Sequence, residues 1–233
     1  MGRPRGMVLT GVTQPRSRTR TRLSATQRRS SILAAATEVF SETGYQRGKI
    51  SDIAHKVGVT EPVVFQNLGS KSALYRAVLD HATDAVSALL HQAADTGRPV
   101  PDVLAVFLDP AHMDRFHRPG SHGFLFAGAS ALAHDPDLGQ PLRQVHQHLA
   151  DTLADLLRRG QTAGDVRDDI DPHTAAWWLI SLLAGRSFRT AVVPDHDTVE
   201  AQPTRMALRS LRPQCDIKDT HHTPAQPHHT NPG

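Results

Sequence analysis

Two groups of residues in this chain have types and spacings that could do chemistry. The first lies between positions 49 and 68. There Ile53, Ala54 and Val57 are spaced to pack one short helix on another, and Gly58 permits a tight turn. Val59 plugs the angle between the helices, and Thr60 can satisfy the free amides at the start of the second. Two short helices joined in this way form a helix-turn-helix, whose second helix lies in the major groove of DNA. Packing uses one face of that helix and leaves Glu61, Pro62, Val63, Gln66 and Asn67 pointing outward. Such a surface suits contact with double-stranded DNA. Pro62, in the first turn, reads as a helix-start device.

The second group is the histidines, 15 in all. His146 and His148 stand two apart, and on a helix such residues point away from each other, which makes a poor chelate. His112, His117 and His122 have no Cys or Glu at ligand spacing. His221-His222 and His228-His229 sit in a Pro-rich tail, where a metal would bind only adventitiously. No GxSxG, HExxH, P-loop or dinucleotide fingerprint occurs. Neither a metal site, nor a cofactor, nor an enzyme is expected.

Charge divides the chain. Residues 1–75 carry 12 basic and 4 acidic side chains, whereas residues 76–233 carry 14 basic and 19 acidic. A basic N-terminal third on an acidic remainder suggests a polyanion-binding module joined to something else. The excess is concentrated further: residues 1–30 hold eight arginines and no acid, and residues 31–75 balance at four of each sign. Electrostatic anchoring is therefore expected from the arm, and specificity from the nearly neutral helix at 60–68. Met7 offers an alternative start within that arm. The single cysteine, Cys215, excludes an internal disulfide framework. No apolar run approaches the roughly 18–20 residues of a membrane span, and the Arg-rich N-terminus lacks the apolar core of a secretory signal. The expected setting is cytoplasmic, with no membrane partner.

Helical spacing dominates what must position these residues, and strand-like alternation is absent. Four segments follow: a disordered basic arm at 1–23, a helix-turn-helix domain at 24–75, a larger helical domain at 76–212 and a disordered His/Pro-rich tail at 213–233. The fold class is all-α. The first helix is expected over 26–43, capped by Ser24 or Thr26 and stopped by a left-handed Gly44. Short helices at 49–57 and 60–68 follow. A long one opens at Ser70, with Leu74, Val78, Ala82, Val86 and Leu89 on one face. Further helices are expected at 100–108, 124–133, 138–159 and 173–192, with a last one at 198–211.

In this order of caps, turn and core, the chain resembles the TetR/AcrR family of one-component transcriptional regulators. The resemblance is carried by Arg29, Ile32-Leu33, Ala35-Ala36, Phe40, Gly44-Tyr45, Ile53-Ala54, Gly58-Val59-Thr60, Phe65, Leu68, Lys71 and Leu74. It implies phosphate positioning by Arg29, Lys49, Asn67 and Lys71, and base-edge reading by Glu61, Val63 and Gln66. The chemistry agrees, since Gln can pair with adenine and Val can meet a thymine methyl. The chain departs from the family pattern in three places. Gly48-Lys49 stands where Thr or Ser is usual, Phe65 replaces a phosphate-bonding Tyr, and Asn67-Leu68 replaces an aromatic pair.

The resemblance also implies a small-molecule effector bound in the C-terminal part, and a homodimer. Phe107, Met113, Phe116, Phe126 and Trp177 could line an apolar pocket, with His122 or His146 supplying polar contacts. The helices at about 138–159 and 173–192 are the expected dimer interface; the alternative for their apolar stripes is ordinary monomer core. The function so implied is a dimeric DNA-binding regulator, in most members a repressor, released from its operator by a ligand. The alternative is a small-molecule binding protein with a degenerate helix-turn-helix, which Phe65 and Gly48 favour.

Overall fold

Ser24 fixes the start of the first helix, α1 (Ala25–Arg47), through a reciprocal cap. Its hydroxyl accepts from the Gln27 amide, and the Gln27 side chain accepts from the Ser24 amide. The computed structural model describes residues 24–116, 122–126 and 129–213. The arm at 1–23 and all of the tail beyond Pro213 lie outside the described residues, as does His117. Ile32, Ala36, Val39 and Phe40 form the buried face of α1. Gly44 does not end the helix as a left-handed stop. At φ 72° and ψ 171° it kinks the chain, which runs on to Arg47 before Gly48 closes it. That φ/ψ pair is open essentially to glycine alone.

Helices α2 (Ile50–Val57) and α3 (Glu61–Leu68) meet through Gly58, whose φ 72° and ψ 36° are left-handed. Then α4 (Lys71–Ala94) starts on Ser70, whose hydroxyl accepts from the Ala73 amide. Its buried face is Leu74, Val78, Ala82 and Leu90; Leu89, expected there, is 49% exposed. Asp109 separates α5 (Val100–Phe107) from α6 (Pro110–Phe116) and accepts from the Ala111 and His112 amides.

Two expected helices are broken. In place of one over 124–133 there is a 3-10 turn at His122–Leu125 and a one-turn helix, α7 (Ala129–Leu132). Gly123 lies within the 3-10 turn, and glycine disfavours a longer helix there. The segment at 173–192 divides at Gly185 into α9 (Pro172–Ala184) and α10 (Arg186–Val192). Between them, α8 (Gly139–Ala163) is longer than expected. Gly160 lies inside it, and a Cβ there would come within 2.6 Å of Val166 and 2.9 Å of Val100, so the bare backbone permits close packing. The left-handed stop is Gly164. The last helix, α11 (His196–Leu211), carries Pro203 within it.

The fold is all-α: among the described residues there is no strand, and no helix is long and apolar enough to cross a membrane. The long helix α8 packs on both α4 and α9, while α1 packs on α2 and α4. Thus α4 belongs to both ends of the molecule, and one continuous core runs through it. Leu142, Val145, Leu149, Leu153, Leu156 and Leu157, expected to meet a second subunit, are buried inside this chain. The apolar side chains left outside on α9 and α10 are Trp178, Phe188 and Val192, with Phe188 68% exposed.

Candidate nucleic-acid interface and ligand cavity

Helix α3 is anchored by Val64 and Leu68, which are buried, with Val63 and Asn67 half-buried beside them. Glu61, Pro62, Phe65 and Gln66 face solvent. Thr60 occupies the cap position, at φ −93° and ψ 157°, but its hydroxyl makes no cap bond. Pro62 explains this correction. A cap side chain bonds the second or third amide of its helix; Pro62 has no amide at the second position. The third, that of Val63, donates to the Thr60 carbonyl at 3.0 Å.

The four expected phosphate ligands stand in different situations. Lys49 is exposed, at the cap position of α2, without a side-chain cap bond. Arg29 donates through Nη1 to the Asn67 carbonyl at 2.7 Å, and Asn67 Nδ2 donates to the Val63 carbonyl at 2.7 Å. Lys71 donates to the Gln46 carbonyl at 3.2 Å and lies 4.8 Å from the Tyr45 ring centroid. Burial pushes its amine below the usual lysine range. Gly48 also has a packing reason. A Cβ at that position would come within 2.6 Å of the Phe40 ring, so the more usual threonine does not fit unless the ring moves.

Sequence reasoning missed what ties this unit to the rest. Tyr75 of α4 meets Phe40 edge-on at 5.0 Å, Tyr45 at 4.9 Å and Phe124 at 6.4 Å between ring centroids. Burial, then the neighbouring Tyr45, push the Tyr75 phenol up to about 12. The cluster joins the helix-turn-helix to the 3-10 turn through ring contacts.

A cavity of about 60 Å³ lies farther along α4. Val86 and Leu90 of α4, Leu104 and Phe107 of α5, and His112 and Met113 of α6 form part of its wall. Leu149 and Leu153 of α8, Leu179, Ile180 and Leu183 of α9, Leu108 and Phe126 complete it. Of the expected pocket residues, Phe107, Met113 and Phe126 come together here. His146 and Trp177 do not: they line a separate hollow with Arg143 and Gln147. The ring nitrogens of His146 lie 2.7 Å and 3.0 Å from the Leu142 and Leu125 carbonyls, and a neutral ring can donate to one of the two. The side chains of Phe116 and His122 lie outside the described residues. His112 is the polar residue the sequence did not single out for this wall. The helical stripe Leu179, Ile180, Leu183 was the signal available for the α9 side.

A smaller cavity of about 20 Å³ shares Leu108, Met113 and Leu183 with the first, but its other walls include Arg186, Arg189 and Glu200. Glu200 accepts from Arg189 at 2.6 Å and 3.1 Å, and from Arg186 at 3.1 Å. Arg186 also pairs with Asp114 of α6. Burial alone pushes the Glu200 carboxyl up. The hydrogen bond and charge of Arg189, with the charge of Arg186, outweigh it and hold the group below the usual carboxylate range.

Residues 32–78 match the family of bacterial regulatory proteins described as the tetR family, and residues 117–213 match the C-terminal part of BetI-type transcriptional repressors. The chain is 28% identical over 167 residues to the HTH-type transcriptional activator FasR of Mycolicibacterium smegmatis, covering 70% of each. It is 26% identical over 174 residues to the HTH-type transcriptional repressor Rv1474c of Mycobacterium tuberculosis, covering 75% of this chain and 88% of that one. Among solved structures, FadR of Bacillus subtilis in complex with stearoyl-CoA shares the fold with a TM-score of 0.61 at 16% identity, over 78% of this chain and 99% of that chain.

Proposed function

Because the chain belongs to the TetR family of transcription regulators, we propose that it is a cytoplasmic, dimeric, operator-binding repressor released by a small molecule. The observation that carries this reading is the position of α4. Its N-terminal half packs against the helix-turn-helix, and its Val86 and Leu90 form part of the cavity wall. A molecule bound there can act on the DNA-reading end only through its differential affinity for two arrangements of this helix. Relatives with named regulatory roles support the class, and FadR, which shares the fold, is seen with stearoyl-CoA.

In this reading Gln66, Val63, Pro62 and Glu61 face the base edges, while Lys49 and Thr60 meet phosphates at the starts of α2 and α3. Arg29, Asn67 and Lys71 first position these helices and reach phosphate only secondarily. The domains are the helix-turn-helix at 24–75 and the effector part at 76–212, with the arm at 1–23 adding affinity by charge. Two copies place their recognition helices roughly 34–36 Å apart, the spacing of successive major grooves. Trp178, Phe188 and Val192 are the apolar surface on α9 and α10 through which the copies meet.

A gel shift tests this with the DNA upstream of the chain's own gene, run against unrelated competitor. Specific retention that a bound small molecule reverses is expected. Retention abolished by unrelated DNA would leave only a small-molecule binder. Deleting residues 1–22 should lower affinity and flatten its dependence on salt.

A further inference from the structure

We propose that the 60 Å³ cavity selects an uncharged, largely apolar molecule carrying one hydrogen-bonding group, and turns away organic cations and carboxylates of the same size. The inference rests on the reading of the chain as ligand-released, and names the class of that ligand.

The wall decides the class. Among the described residues, every side chain lining the cavity apart from His112 is hydrocarbon, aromatic or thioether. An ion entering it would lose its hydration and gain no counter-charge, which is strongly unfavourable. The nearest buried charges do not help. Arg186, Arg189 and Glu200 lie in the adjoining cavity, across Leu108, Met113 and Leu183, and are already paired with one another and with Asp114. Among the described residues, no buried side-chain N or O atom is left without a partner. An incoming carboxylate would have to displace Glu200 or Asp114 to reach either arginine.

Among the described residues, His112 supplies the one polar side chain of this wall. Burial, then the nearby positive charge of Arg115, push its imidazole below the usual histidine range. That shift favours the uncharged ring, which can donate or accept a hydrogen bond with a hydroxyl or carbonyl and offers an ion no counter-charge.

Size gives the second constraint. A cavity of roughly 150 Å³ holds benzene, so the 60 Å³ space must enlarge before a molecule of that size fits. The wall best able to yield is α6, seven residues long and contributing Met113, whose unbranched thioether repacks easily. A ligand that needs the enlarged cavity has the differential affinity that a switch requires.

The test uses the full chain and three probes with one hydrocarbon body: 4-phenylbutan-1-ol, 4-phenylbutylamine and 4-phenylbutanoate, titrated calorimetrically near pH 7.5. The alcohol should bind at least about tenfold more tightly than either ion. His112→Phe should erase the preference for the alcohol over n-butylbenzene while leaving n-butylbenzene binding intact. Met113→Phe and Ile180→Phe fill the space, and whichever retains native helical circular dichroism should lose alcohol binding. Binding of the amine or the carboxylate as tightly as the alcohol overturns the inference. So does failure of all three to bind, or retained alcohol binding in a folded, filled variant. A gel shift with the alcohol separates the two claims. Binding without release of DNA sinks the ligand-release reading and leaves the ligand class standing.

Discussion

Arg29 of α1 donates to the backbone carbonyl of Asn67, 2.7 Å away in the last turn of α3. That carbonyl is one of the four that an α-helix leaves without an internal partner at its C-terminus. With only eight residues, α3 is too short to be stable alone, so its far end is held by a cation from another helix. The position most exposed to loss of register on the recognition helix is thereby fixed from outside.

Arg29→Gln should lower operator affinity by about threefold to tenfold through a looser α3, and cost about 1 kcal/mol of stability. If Arg29 acts by positioning, the slope of log K against log salt stays unchanged. A gel-shift series in salt decides this, because a slope reduced by about one unit would mean a direct phosphate contact instead.

Lys49 poses a trade between stability and binding. It holds the cap position of α2 in extended conformation with no side-chain cap bond, where serine would satisfy a free amide. Lys49→Ser should therefore stabilise the chain by about 0.5–1 kcal/mol in urea unfolding. It should at the same time weaken operator binding and flatten its salt dependence. A variant both more stable and equally tight on DNA would remove Lys49 from the interface.

The residues just named show why some of this was legible in sequence. The turn through Gly58, the Ser70 start of α4 and the solvent-facing Glu61, Pro62 and Gln66 of α3 are local: each depends on neighbours within a few positions. The Arg29–Asn67 bond spans 38 residues and leaves no local pattern. Gly48 reads as a departure from a family pattern until Phe40 is seen beneath it. The apolar stripe of α8 predicted burial correctly but could not say against what, because periodicity marks a face without naming its partner. The pocket suffered in the same way. Phe107, Met113 and Phe126 share a wall, whereas Trp177 and His146 line a separate hollow.

That ambiguity between core and interface yields a paired prediction. Leu149 is 2% exposed and lines the cavity, so Leu149→Ala should cost about 2–5 kcal/mol of stability. Phe188 is 68% exposed. Phe188→Glu should leave the unfolding midpoint of the protomer nearly unchanged and shift sedimentation from dimer to monomer. A Phe188→Glu protein that sediments unchanged would place the two-fold elsewhere.

Glu200 is the residue whose loss should be felt most among the charged ones. Its side chain is 6% exposed and sits between Arg186 and Arg189, which are 9% and 21% exposed. Glu200→Ala leaves Arg189 without an acid and Arg186 with Asp114 alone, and should cost about 3 kcal/mol at pH 7. Replacing Arg186, Arg189 and Glu200 together by methionine should recover much of that, because the desolvation of all three charges is then avoided. The effect carries a pH signature. The Glu200 carboxyl titrates below its unfolded value, so its contribution is complete above the unfolded carboxylate range, about pH 4.3. It is lost as pH falls through the lower folded value. Urea unfolding at pH 7 and in a series below pH 4.3 should show the gap between the parent chain and Glu200→Ala narrowing as the carboxyl takes up its proton. A gap that stays constant across that range would mean that the side chain contributes by packing, and that the ion pairs with Arg186 and Arg189 add nothing.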